Sequence, residues 1–201
     1  MSDLTGLSLP GIPDRLFIRG DVPMTKEEIR VITLSKARLE PGMVVWDVGS
    51  GTGSISVEAA RMAPGGRVYA VERSPEGCRL TSENCTRFSV DNVEVVEGSA
   101  PEALVRLPRP HRVFVGGTGG HMKAILEEIK VKLMPGGRLV INAVTLETLS
   151  SALDFLKDGW ETEIVQVSIS KSQLMGASRL MKAYNPVFIL AAWGWRLRHG
   201  R

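Results

Sequence analysis

Val44-Val45-Trp46-Asp47-Val48-Gly49-Ser50-Gly51-Thr52-Gly53 joins an apolar stretch of strand character to a glycine hairpin, and the residues from Ser54 onward read as a helix. Small residues in such a turn let a ligand lie against the backbone, while the amides opening the helix point into the same space. The turn is therefore a nucleotide-binding corner. Its charge selects among nucleotides. A carboxylate at the strand end, Asp47, repels a pyrophosphate, and Ser54 stands where a dinucleotide fingerprint needs its third glycine. A ligand carrying an ammonium and a sulfonium suits that field better. Further on, Tyr69-Ala70-Val71-Glu72 ends a second strand in an acid, the position from which a carboxylate accepts hydrogen bonds from ribose hydroxyls. Gly49, Ser50, Gly51, Thr52 and Gly53 with Asp47 and Glu72 thus read as a site for S-adenosyl-L-methionine (SAM).

Composition sets wide bounds. The chain has 201 residues, the length of one ordinary α/β domain, and a formal net charge of +3, too mild for a nucleic-acid footprint. The start, Met1-Ser2-Asp3-Leu4-Thr5, lacks a basic segment followed by an apolar one, and no later apolar run approaches a membrane span. A cytoplasmic protein is expected, with neither membrane nor nucleic acid as partner. Cys78 and Cys85 fall one heptad apart on an expected helix, as half-buried small residues rather than a disulfide or metal pair. No metal site is expected, since His111, His121 and His199 cluster with neither cysteine in sequence.

Along the chain, residues 1–22 are rich in Pro and Gly and are expected to wrap the surface as a lead segment. Thr25-Lys26-Glu27-Glu28 reads as a capping box, with Thr25 as N-cap of a helix to about Leu39. From Pro41-Gly42 strand and helix patterns alternate, as in a doubly wound parallel sheet. Strands are expected at Val44–Val48, Arg67–Glu72, Asn92–Glu97, His111–Gly116 and Arg138–Ala143. The tail breaks the alternation. Glu161–Ser170 and Ala183–Trp193 both read as strands with no room for a crossover helix between them, so they should run antiparallel. A single domain is expected over residues 23–195, with a basic tail at residues 196–201.

A mostly parallel sheet of seven strands ending in an antiparallel hairpin, with helices on both faces, resembles the Rossmann-like class I SAM-dependent methyltransferases. Within them the chain resembles the CbiT-type precorrin methyltransferases of cobalamin biosynthesis. The carrying residues are Pro23 to Arg30, the turn Gly49 to Gly53, Gly98 to Leu104, Val115-Gly116-Gly117-Thr118-Gly119-Gly120, Asn142 to Thr148, and Asn185-Pro186-Val187. The resemblance spans about residues 12–193. The glycine turn alone is shared widely; the ordered set, above all the double-glycine loop, is specific.

The resemblance implies methylation of C15 of precorrin-6B or cobalt-precorrin-6B with decarboxylation of the C12 acetate. It implies that Thr25 meets the methionine end of the cofactor, whose ammonium Asp47 faces, and that Ser99 and Ala100 meet adenine. Ser99 departs from the family pattern, which usually has Asp there; adenine recognition then leans on the Ala100 amide. Gly117, Thr118, Gly119, Gly120 and Asn142 are expected at the substrate, the glycines admitting a large flat ring. Lys171, Arg179 and Lys182 are candidates for its peripheral carboxylates, against the plain reading of a solvated basic hairpin. No catalytic base is named, and His121 reads first as a surface histidine. The resemblance also implies a homotetramer and a separate C5-methylating enzyme as functional partner. Rival readings are a tRNA adenine methyltransferase, for whose usual N-terminal β domain the lead before Thr25 is too short, a protein-repair carboxyl methyltransferase, and a non-catalytic SAM-binding subunit.

Overall fold

Residues that alternate between the two faces of a strand must find apolar cover on both sides when the sheet is parallel, and the central strands here do so. The computed structural model describes residues 10–194. Five strands and the helices between them come in order: α1 (Glu27–Ala37), β1 (Val44–Val48), α2 (Ser54–Met62), β2 (Arg67–Glu72), α3 (Pro75–Arg87), β3 (Val93–Glu97), β4 (Arg112–Val115), α4 (Met122–Lys132), β5 (Arg138–Ala143) and α5 (Leu146–Leu156). Four strands close the chain: β6 (Glu161–Val167), β7 (Ser170–Met175), β8 (Ser178–Ala183) and β9 (Val187–Trp193). The main sheet has seven strands in the order β3-β2-β1-β4-β5-β9-β6. Pairs from β3 to β5 are parallel, and β9 runs antiparallel to both β5 and β6.

Val45, Phe114, Val140 and Ile189 point to one face, where they pack with Ile29 and Leu34 of α1 and Ile55 and Ala59 of α2. Trp46, Val113, Leu139 and Leu190, one residue along, point to the other, under Ile125 and Ile129 of α4 and Leu156 of α5. The chain leaves β1 to pair with β2 on one side and β4 on the other. That reversal of strand order opens a crevice at the carboxyl ends of the central strands.

Three features differ from the sequence reading. The described part of the lead, residues 10–22, does not simply wrap the surface: Ile12 and Phe17 are buried against Met24, Val57, Cys85 and Phe88. Polar bonds hold it there. Glu58 of α2 accepts from the amides of Gly11 at 2.7 Å and Ile12 at 3.1 Å, and its Oε1 also accepts from Arg30 Nε at 2.5 Å. Arg30, wholly buried, spends its remaining donors on the Ile12 and Thr25 carbonyls and on Asp14. Asp14 is also what satisfies the start of α1, accepting from the Glu27 amide at 2.9 Å. Thr25 is therefore not the N-cap: Lys26 holds that position without a side-chain bond, and a residue eleven positions before Thr25 does the capping.

The tail is also more divided than expected. The stretch read as Glu161–Ser170 stops at Val167, and the one read as Ala183–Trp193 restarts at Val187 after Asn185-Pro186. Proline has no amide hydrogen to give a ladder. Between those breaks, β7 and β8 form a separate two-stranded sheet. Cys78 and Cys85 are free and buried on α3, and burial pushes the Cys85 thiol up to about 11. Residues 1–9 and the basic tail at 196–201, His199 included, lie outside the described residues.

Removing one partner of a buried ion pair leaves the other charge without compensation. Glu58→Ala should therefore cost about 3–5 kcal/mol in urea unfolding, since it strips both Arg30 and the Gly11–Ile12 amides. A loss below about 1 kcal/mol, the usual scale of an exposed pair, would show that the lead segment is not held through this carboxylate.

Candidate active site

The crevice is a cleft of about 880 Å3 whose floor is the end of β1. Gly49 shapes it. Its φ of +77° is left-handed, and a Cβ there would stand 2.6 Å from both the amide nitrogen and the carbonyl oxygen of Gly117. Only glycine lets the two loops meet backbone to backbone. The turn is tied back to the sheet by the Gly49 and Ser50 amides, which both donate to the Val71 carbonyl, at 2.9 and 3.1 Å.

Asp47 lies beneath this turn, fully buried yet on the cleft wall. Ser56 Oγ donates to its Oδ2 at 2.5 Å. Burial pushes its carboxyl up to about 6; the Ser56 bond opposes this and the nearby charge of Glu72 adds to it. Removed from water, that carboxylate favours a cation in the cleft. Glu72 is fixed by two amides: Oε2 accepts from Gly51 at 3.0 Å and Oε1 from Ser74 at 2.8 Å. Each carboxylate oxygen retains a lone pair for a further donor. Ser74 in turn caps α3.

Across the cleft, Glu28 of α1 pairs with Lys171 of β7 at 2.6 Å. Burial works against the charge of Glu28, but the bond from Lys171, with Arg30 behind it, holds its carboxyl below the usual range; the same bond raises Lys171. The other oxygen of Glu28, Oε2, is buried with no hydrogen-bond partner. Asn142 also faces the cleft, its Oδ1 accepting from Thr33 Oγ1 at 2.9 Å.

Of the residues expected from sequence, Thr25, Asp47, Gly49, Ser50, Gly51, Glu72, Ser99 and Ala100 line this one cleft, together with Gly117, Thr118, Gly119, Asn142 and Lys171. Five do not. Thr52 is buried under the turn, its carbonyl taken by Asn84 Nδ2 at 2.9 Å. Gly53 is the N-cap of α2 and packs on Thr81, where a Cβ would meet Cγ2 at 2.7 Å. Gly120 is exposed past the end of the loop wall. Arg179 and Lys182 stand exposed on β8, off the cleft. The sequence reading missed Glu28 and Arg73 as wall residues. Both carried a signal: Glu28 lies one helical turn from Thr25, and Arg73 follows Glu72 at the same strand end. His121 lines the cleft as N-cap of α4. Among the described residues no group of three or more His, Cys, Asp or Glu is arranged to hold a metal ion, and no helix is long and apolar enough to cross a membrane.

The sequence pattern of a precorrin methyltransferase domain matches residues 16–195. The chain is 47% identical over 188 residues to a protein of Pyrobaculum calidifontis named probable cobalt-precorrin-6B C(15)-methyltransferase (decarboxylating), covering 92% of this chain and 96% of that one. A Salmonella typhimurium cobalt-precorrin-6B C(15)-methyltransferase (decarboxylating) is 41% identical over 181 residues, covering 89% and 93%. Among solved structures, a precorrin-6y C5,15-methyltransferase from Geobacter metallireducens superposes with a TM-score of 0.87 at 40% identity, over 92% of this chain and 98% of that one.

The raised carboxyl of Asp47 has a stability consequence. Its folded value of about 6 lies above the ordinary 3.8, so the protonated form favours folding. That contribution is complete below about pH 4 and is lost as pH rises through about 6. Asp47→Asn should remove this decline, flattening the stability of the ligand-free protein between about pH 3 and 7 by roughly 3 kcal/mol. Urea unfolding at a series of pH values measures it, and identical pH profiles for variant and parent would contradict the burial of a titrating Asp47.

Proposed function

From the premise that the chain belongs to the precorrin methyltransferase family, we propose that it methylates C15 of cobalt-precorrin-6B or precorrin-6B, using SAM, and decarboxylates the C12 acetate, leaving a methyl group. The single observation that carries this reading is the cleft itself. It sets the buried carboxylate of Asp47 and the amide-held carboxylate of Glu72 in one cleft with the glycine loop Gly116 to Gly119, an arrangement that supports a cationic nucleoside beside a large flat ring.

The residues present fit the cofactor. Asp47 is held out of water where a positive group would restore its charge, and Glu72 is oriented by Gly51 and Ser74 with acceptor capacity remaining. A pyrophosphate would face both carboxylates. Thr25, freed from capping duty by Asp14, keeps its hydroxyl for the methionine end. Ser99 and Ala100 lie on the adenine side of this reading, with the Ala100 amide as the main donor. When bound, SAM supplies an electrophilic methyl group.

The chain's own task is positioning. A reduced tetrapyrrole has electron-rich meso carbons and, in its conjugated system, a sink for the electrons left by departing CO2. Neither event then demands a strong protein base, and none is assigned. Holding the reacting centres in line supplies about 7–11 kcal/mol through proximity and orientation. Gly117 and Thr118 admit the ring, Asn142 stands fixed by Thr33, and Lys171 meets a substrate carboxylate only by sharing or exchanging its present partner, Glu28.

The finer setting is cytoplasmic, with a separate C5-methylating enzyme acting on the same compound class. A homotetramer is part of the proposal and has support on the surface. Leu174, Met175, Leu180 and Met181 of the β7–β8 sheet are all more than half exposed, and an isolated two-stranded hairpin is marginal in water without cover.

Turnover tests the proposal. Incubated with SAM and cobalt-precorrin-6B or precorrin-6B, the protein should give a product heavier by one methylene and lighter by CO2, two changes that mass spectrometry separates. Thr118→Trp, which fills the approach to the loop, should abolish that product while leaving S-adenosylhomocysteine affinity within about 0.5 kcal/mol. Methylation of bulk tRNA with no change in either precorrin would move the chain to a nucleic-acid substrate.

A further inference from the structure

Arg73 follows Glu72 at the end of β2 and lies exposed on the cleft wall. Its guanidinium leans on the glycine loop: a Cβ at Gly119 would come within 2.7 Å of Nη1. Gly119, with φ of +56°, leaves the space that the guanidinium fills. Of the other cations near this site, Lys26 also lines the cleft wall, as a point charge. Lys171 is paired with Glu28, and Arg30 is held by Glu58, Asp14 and two carbonyls. Arg73 differs from those two, since among the described residues no carboxylate or carbonyl accepts a hydrogen bond from it, and it differs from Lys26 in offering a fork. A planar fork of five donors thus stands free at the point where the ribose acid and the substrate loop adjoin.

We infer that Arg73 is a specificity-determining residue that grips one peripheral carboxylate of the substrate through a bidentate hydrogen bond. The inference rests on the tetrapyrrole reading of the same cleft. Guanidinium and carboxylate match in geometry, and such pairs are among the stronger hydrogen bonds. The chemistry also says which kind of arm is held. Decarboxylation breaks the C–C bond to the carboxyl group, sending that bond's electron pair into the ring system while an oxygen lone pair closes the second C=O of CO2. A guanidinium bound to that carboxylate would stabilise the charge that has to leave it. Arg73 therefore grips an arm that survives into the product. It binds that arm equally in substrate, transition state and product, which is uniform binding and shows in KM rather than kcat.

The experiment uses the full chain with cobalt-precorrin-6B and compares the parent with Arg73→Gln and Arg73→Lys. Arg73→Gln should raise KM roughly ten- to hundredfold, raise the product inhibition constant by a similar factor, and keep kcat within about threefold. Its unfolding temperature should not change, because the side chain bonds to no described residue. Arg73→Lys should recover only part of the loss, as a point charge replaces the fork. S-adenosylhomocysteine affinity should stay within about twofold in both variants. An unchanged KM, an unchanged product inhibition constant, or a cofactor affinity that falls in step with KM would each overturn the role given to Arg73. A parent protein that does not turn over the substrate would instead overturn the tetrapyrrole reading, and this inference with it.

Discussion

The contact between Gly49 and Gly117 is the constraint on which the rest of the site depends. A side chain at Gly49 would collide with the Gly117 backbone, so the carboxyl ends of β1 and β4 can close on one another only because that atom is missing. Closure has two effects. It roofs Asp47, taking its carboxylate out of water, and it sets the double-glycine loop at the edge of the glycine turn. Glu72 then completes the corner by bonding the Gly51 amide from the neighbouring strand. Three strands meet here through backbone groups, and few side chains intrude.

Charge is divided within the cleft. The Asp47 carboxylate is shut away from water, whereas the more exposed wall carries both signs, with Lys26 and Arg73 beside Asp21, Glu76 and the Glu28–Lys171 pair. Burial gives the Asp47 carboxylate its weight, because opposite charges attract more strongly where water is excluded.

What was legible in the sequence was local. The strand, turn and helix around Gly49 to Gly53 follow from residues adjacent in the chain, and Glu72 is readable because one βα unit fixes its distance from the turn. The strands β1, β2 and β4 are legible as short apolar runs bounded by turns, but their register, with Asp47 opposite Ala70 and Phe114, comes from the structure, because a run apolar on both faces does not choose between neighbouring registers. The failures were non-local. Nothing near Thr25 says that Asp14 will cap α1, or that Ile12 will be buried, since both depend on Glu58 of a later helix. Thr52 sits inside a binding motif yet is wholly buried, its carbonyl held by Asn84 and its hydroxyl without a hydrogen-bond partner. Arg179 and Lys182 looked like substrate cations, but β7 and β8 left the main sheet and carried them away from the cleft.

The state of Asp47 is where fold and chemistry meet, and it can be watched directly by carbon NMR of its side-chain carboxyl across pH. In the free protein the titration should centre near 6, as burial dictates. With S-adenosylhomocysteine bound, the ammonium of the ligand should stabilise the carboxylate and bring the midpoint down into or below the ordinary carboxylate range. The same midpoint with and without ligand, under conditions where binding is saturated, would contradict the assignment of Asp47 to the methionine end of a SAM site.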